Sequence, residues 1–171
     1  MPDFNGIPDK KWILSIRSKD DLRNAFDDKR YLFDGEKFLG VSTITTNKGD
    51  KGTAVMCTGW HYNVYQASDG EKIRHHKGKT PCLRQIKGIP YRRDYTNDGK
   101  TNPTTKFFNN IIHMNYHPAT HNLELKVIKE NIGGWSEGCQ VENNIPKYVW
   151  VLDQLKDNGE TTYCLIDEFT P

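Results

Sequence analysis

Apolar and polar positions alternate in short runs along most of the chain, and the runs are separated by Asp-Gly, Lys-Gly and Ser-Asp-Gly. Period-two runs rich in β-branched and aromatic residues between such turns predict strands joined by hairpins. The strands expected on this pattern cover residues 38–45, 53–65, 82–85, 107–113 and 123–129. Two stretches follow a helical period instead. In "SKDDLRNAF", Ser18 can cap, Asp21 takes the third position of a capping box, and Leu22 and Phe26 fall on one face. In "NNIPKYVWVLDQLKDNG", Asn144 caps, Pro146 sits in the first turn, and Val149, Leu152 and Leu155 follow at helical spacing before Gly159. "TTYCLID" then predicts a closing strand with Cys164 turned inward. The expected fold is a mostly β, β-rich α+β domain with two helices.

Composition narrows the function classes. The 171 residues fit one domain, and 35% hydrophobic content with 11% aromatics is that of a globular chain, although a mean hydropathy of -0.79 leaves much polar surface. The net charge is only +2, and the basic residues are scattered apart from Arg92-Arg93 and the 72–79 stretch, so nucleic acid is not an expected partner. No run reaches the length of a signal-peptide core or a membrane span, which predicts a product made in the cytoplasm. Cys57, Cys82, Cys139 and Cys164 show no CxxC spacing, so neither a zinc finger nor a disulfide framework is expected.

Chemistry concentrates in "IGGWSEGCQV", residues 132–141, where a cysteine directly follows a glycine between an expected strand and the longer helix. A thiol becomes a nucleophile when a neighbouring base takes its proton or a positive field favours the thiolate. The expected base for Cys139 is His113, at the end of the apolar run in "NNIIHMNY". Gly138 permits a tight turn, Ser136 can donate a hydrogen bond nearby, and the N–H groups of Gly138 and Cys139 can meet a developing oxyanion.

His113 followed by Ser136-Glu137-Gly138-Cys139 resembles the His...Ser/Thr-X-Gly-Cys signature of L,D-transpeptidase-like (YkuD) catalytic domains. "KTPCLRQ", "IPYRRDYTNDGK" and "IIHMN...IGGWSEGCQV" extend the likeness to a small, phage-related subgroup, over residues 81–141; the first 50 residues are only weakly assigned. The resemblance implies a β-sandwich or barrel fold and a cysteine enzyme that processes peptidoglycan stem peptides through a thioester. It makes Cys139 the nucleophile, His113 its base, and Ser136 with Gly138 the loop that shapes the site. Arg92, Arg93, Trp135, Gln140 and Asn115 are the implied substrate-facing residues, with no cofactor and no metal. Lacking an export signal, such an enzyme is expected to reach the wall after release or delivery, as a phage lysin or a delivered toxin does. Three features depart from the family pattern. Glu137 stands where many members have a second His, Gln140-Val141 replaces an apolar residue and Arg or Asn, and about 25 residues separate His113 from Cys139, implying an inserted hairpin near residues 117–131.

Two other readings use the same residues. Glu137 and Gln140 can mark lost chemistry, leaving a module that binds wall peptides or a protein partner. Alternatively, His113, His117 and Cys139 can gather around zinc in a hydrolase, since His113, His117 and His121 recur every fourth residue; Pro118 opposes a helix there. The plain expectation for His117 and His121 is a solvated loop, and for His75 and His76 a surface stretch with one ring able to line the cleft. Asp94, Thr96, Asp98 and Gly99 echo a calcium loop, but Thr105 replaces the bidentate Glu at the twelfth position, so "RDYTNDGK" reads as a turn.

Overall fold

A computed structural model describes residues 6–20, 22, 24–47, 51–96 and 103–169. Its strands are β1 (Lys11–Arg17), β2 (Asp28–Asp34), β3 (Lys37–Thr45), β4 (Ala54–Met56), β5 (Gly59–Gln66), β6 (His75–His76), β7 (Thr80–Pro81), β8 (Arg84–Gln85), β9 (Ile89–Arg93), β10 (Phe108–Asn110), β11 (Tyr116–Pro118), β12 (Gln140–Glu142) and β13 (Glu160–Asp167). The helical elements are α1 (Ile145–Leu155) and a 3-10 turn at Gly133–Trp135. The molecule is mostly β, as its alternation predicts.

Eight strands form one sheet in the order β11-β12-β3-β2-β1-β13-β5-β8. Leu83, beside β8, exchanges two main-chain hydrogen bonds with Tyr116 of β11, so the two ends of the sheet meet and the barrel nearly closes. The weakly assigned first third thus supplies three central strands. A second sheet, β10-β9-β4, packs beside it. α1 buries Ile145 and lays Tyr148, Val151, Leu152 and Leu155 into a core shared with Ile13, Leu32, Ile44, Tyr65 and Tyr163. Asn144 caps α1 by accepting from the Lys147 N–H, and Pro146 lies in its first turn, as expected. Val149 is on the other face, 37% exposed.

The first expected helix does not form over its described residues, and Asp21 lies outside them. Asp27 and Asp28 capture the N–H groups of Leu22 and Ser18, and Asn24 takes a left-handed φ of 58°, so the local hydrogen bonds go to side chains and not to a helical ladder. The 53–65 strand divides at Cys57 and Thr58 before Gly59 (φ 130°), and its halves enter different sheets. Residues 123–129 alternate but meet only an isolated bridge from Ile128 to Asn144, so no inserted hairpin stands there. β13 is not a closing edge; it lies between β1 and β5, with Cys164 buried.

Candidate active site

Cys139 lies on the floor of an open cleft of about 420 Å³. The loop that carries it is built locally. Ser136 Oγ accepts from the Gly138 N–H at 3.1 Å and donates to the Cys139 carbonyl at 2.9 Å, which closes the Ser-Glu-Gly-Cys turn on itself. Gly138 has φ 127°, and a Cβ there would meet Ala54 Cβ and Ala54 O at 2.8 Å, so only glycine lets the loop seat against β4. Ala54 N–H donates to the Glu137 carbonyl at 3.3 Å, tying the loop to that strand.

Parallel pairing then sets the partners. β11 and β12 run side by side with Tyr116 opposite Gln140 and His117 opposite Val141, and Gln140 N–H donates to the Asn115 carbonyl at 2.9 Å. This register brings His117 close to the thiol. One ring nitrogen each from His76 and His117 and the Cys139 sulfur all lie within 4.8 Å of one another. His113 is exposed in a left-handed conformation (φ 60°), and it meets Cys139 through its main-chain carbonyl, which accepts from Sγ at 3.5 Å. The solvated-loop expectation for His117 is corrected, because the residue is fully buried. Pro118 terminates a helical reading but is tolerated at the end strand of a sheet.

The hydrogen-bond partners set the tautomers. His117 Nδ1 donates to the Pro118 carbonyl at 2.9 Å, which leaves Nε2 with the lone pair, buried and without a partner among the described residues. His76 has the opposite arrangement: Asn115 Nδ2 donates to its Nδ1 at 2.9 Å. The two rings stack at 4.4 Å between centroids. Burial pushes the Cys139 thiol up to about 11, opposed by the Asn115 N–H and Lys77 and reinforced by Glu137. Burial likewise drives His117 down to about 4. The resting pair is therefore thiol and neutral imidazole.

The remaining expected residues divide. Arg93 and Trp135 line the cleft; Trp135 also packs with Ala119 and Val141 and presents its ring to His121 at 4.7 Å. Asn115 lines it too, and holds His76 while its Oδ1 accepts from Gln85 N–H. Arg92 is outside the cleft, over the Phe107 ring at 4.1 Å. Gln140 is also outside it, fully buried and accepting from the Tyr163 hydroxyl at 2.9 Å, so its place after the cysteine serves packing. Lys77 and Arg84 are cleft cations that the sequence reading did not single out, and with Arg93 they outnumber the one lining carboxylate, Glu137. Asp94 Oδ1 accepts from the N–H and hydroxyl of Thr96, as a turn would arrange, while Asp98 and Gly99 lie outside the described residues. The four cysteines are free, with Cys82, Cys139 and Cys164 buried and Cys57 half-buried.

No family model, curated protein or solved structure matches the chain. No helix among the described residues is long and apolar enough to cross a membrane.

Proposed function

We propose that this chain is a cysteine acyltransferase or peptidase of the L,D-transpeptidase-like kind, acting on peptidoglycan stem peptides. The observation that carries the reading is the His117 imidazole, fixed through Nδ1 by the adjacent carbonyl and grouped with a cleft-floor thiol, with its Nε2 lone pair unused. That is the tautomer a general base needs. As a peptide carbonyl enters, Sγ bonds to its carbon while the thiol proton passes to Nε2; when the C–N bond breaks, the leaving amine takes that proton. An incoming amine or water then attacks the thioester carbon, losing a proton to His117, and as the C–S bond breaks that proton returns to Sγ. Because thiol and imidazole rest neutral, activation happens during attack and not before it. Arg93, Arg84 and Lys77 suit a substrate that carries carboxylates, as stem peptides do.

Purified peptidoglycan with product mass analysis tests the reading and identifies the reaction. Loss of a terminal D-residue marks a carboxypeptidase, a split cross-link an endopeptidase, and a gained amine a transpeptidase. Cys139→Ala should abolish turnover, and His117→Ala should reduce it by about a hundred- to ten-thousandfold, whereas His113→Ala should retain most of it. A wild-type protein that binds muropeptides but converts none is instead a binding module. Full turnover by Cys139→Ala would refute the thioester.

The clustering of His76, His117 and Cys139 also supports a second reading, a zinc-dependent hydrolase. The tautomers weigh against it, since the single lone pair of neutral His76 already accepts from Asn115. One zinc per chain in purified protein, with activity lost to a chelator and regained on adding zinc, would favour the metal.

A further inference from the structure

Acyl transfer through a thioester places negative charge on the carbonyl oxygen, and a site of this kind holds that oxygen with preorganised donors. The loop supplies fewer than its sequence promises. Gly138 N–H is spent on Ser136 Oγ, while the Cys139 N–H has no partner among the described residues. A second donor must come from elsewhere in the cleft.

We propose that His76 supplies it through Nε2–H, a role that rests on the thioester reading above. The assignment follows along a chain of hydrogen bonds. Gln85 N–H donates to Asn115 Oδ1 at 2.9 Å, so the other end of that amide is its NH2. That NH2 donates to His76 Nδ1 at 2.9 Å. A neutral imidazole has one lone pair and one N–H, and with the lone pair used at Nδ1 the proton belongs to Nε2. The stacked rings thus have complementary duties: His117 keeps a lone pair for the thiol proton, and His76 keeps a proton for the oxygen.

Distance and charge agree with this division. A His76 ring nitrogen lies within 4.8 Å of Sγ. His76 is half-buried and lines the cleft, on a strand paired with β7 through Thr80. Burial, and then Lys77, His113 and His121 facing it, lower its proton affinity and keep the ring neutral. Neutrality matters because His117 becomes an imidazolium during attack, and a second positive ring stacked 4.4 Å away would oppose that step.

Two measurements test the role. In protein with 15N-labelled histidine, imidazole spectra near neutral pH should show His76 protonated at Nε2 and His117 protonated at Nδ1. Kinetically, acylation of Cys139 by a carbapenem builds an oxyanion, whereas alkylation by iodoacetamide does not. His76→Leu should slow acylation by about a hundred- to a thousandfold at saturating reagent while changing alkylation by less than about threefold. His76→Gln, which retains an N–H donor, should recover much of the acylation rate. A neutral His76 protonated at Nδ1, or equal losses in acylation and alkylation, would overturn this role and leave the thioester standing. Failure of wild-type Cys139 to acylate at all would overturn the thioester reading and this role with it.

Discussion

Gly138 is where loop geometry and chemistry are most tightly joined, and Gly138→Ala measures the connection. With φ 127° the backbone is in a region that L-residues rarely adopt, at a cost of about 1–3 kcal/mol. The added methyl also meets Ala54 Cβ and Ala54 O at 2.8 Å, and overpacking of a seated element costs about another 1–3 kcal/mol. Together these predict a loss of about 2–6 kcal/mol, a large share of the 5–15 kcal/mol typical of a domain. Gly133 in the same loop is the control: its φ of 59° is also positive, but a Cβ there meets nothing within 4 Å, so Gly133→Ala should lose only about 1–2 kcal/mol. Urea denaturation at constant m-value reads the difference. Adding Ala54→Gly to Gly138→Ala should recover only part of the loss, because the Ala54 carbonyl remains at 2.8 Å. The Gly138 variant should also lose acylation rate out of proportion to its folded fraction, since a shift of about 1 Å at a reacting atom can cost about a hundredfold. Equal destabilisation by the two alanines, or full rescue by Ala54→Gly, would refute the close-approach account.

Alkylation of Cys139 by iodoacetamide should be slow at pH 7 and rise with pH toward about 11, as burial of the thiol requires; a rate already level between pH 5 and 8 would show a preformed thiolate and refute the neutral pair. His117 falls from an ordinary 6.5 to about 4 on burial, so the unfolded chain takes up this proton first, and stability present above pH 6.5 is lost as pH falls toward 4. Asp28 has the opposite sign: burial raises it to about 6, so its contribution is present below about 3.8 and lost as pH rises through 6, which flattens the wild-type profile. The stability difference between His117→Gln and wild type should therefore shift by up to about 3 kcal/mol in favour of the variant between pH 7 and pH 4, as read by denaturation at each pH; a constant difference would refute the burial of a neutral ring. Glu142→Gln should cost about 3–5 kcal/mol by stranding fully buried Arg30, whose Nη2 lies 3.1 Å from Glu142 Oε1, whereas Lys87→Gln at the exposed Glu160 pair should cost under about 1 kcal/mol by the same assay. Arg93→Gln should raise KM for stem peptides more than Arg92→Gln, since only Arg93 lines the cleft; equal effects would refute that placement.

What the sequence made legible, and what it hid, follows from the range of the interactions involved. Alternation, turn dipeptides and the Asn144-Pro146 start are local signals, and β3, α1 and β13 appear where those signals stand. The described residues of 18–26 and residues 123–129 carry equally good local signals without forming those elements: side chains of Asp27 and Asp28 take the N–H groups of Leu22 and Ser18, and among the described residues no strand covers the 123–129 alternation. The cysteine loop was readable because Ser136, Gly138 and Cys139 bond to one another within four residues. The histidine grouped with the thiol was not, because it is the parallel register of β11 with β12 that puts Asn115 beside Gln140 and buried His117 near Cys139. Pro118 concealed this by reading as a loop, whereas an end strand with a missing N–H accommodates it. His76 was harder still, since its approach depends on the β6-β7 turn folding back over β11, some 40 residues away in sequence. Sequence spacing alone favoured a partner near the end of an apolar run; sheet register, which a single sequence does not display, groups the imidazole four residues later with the thiol.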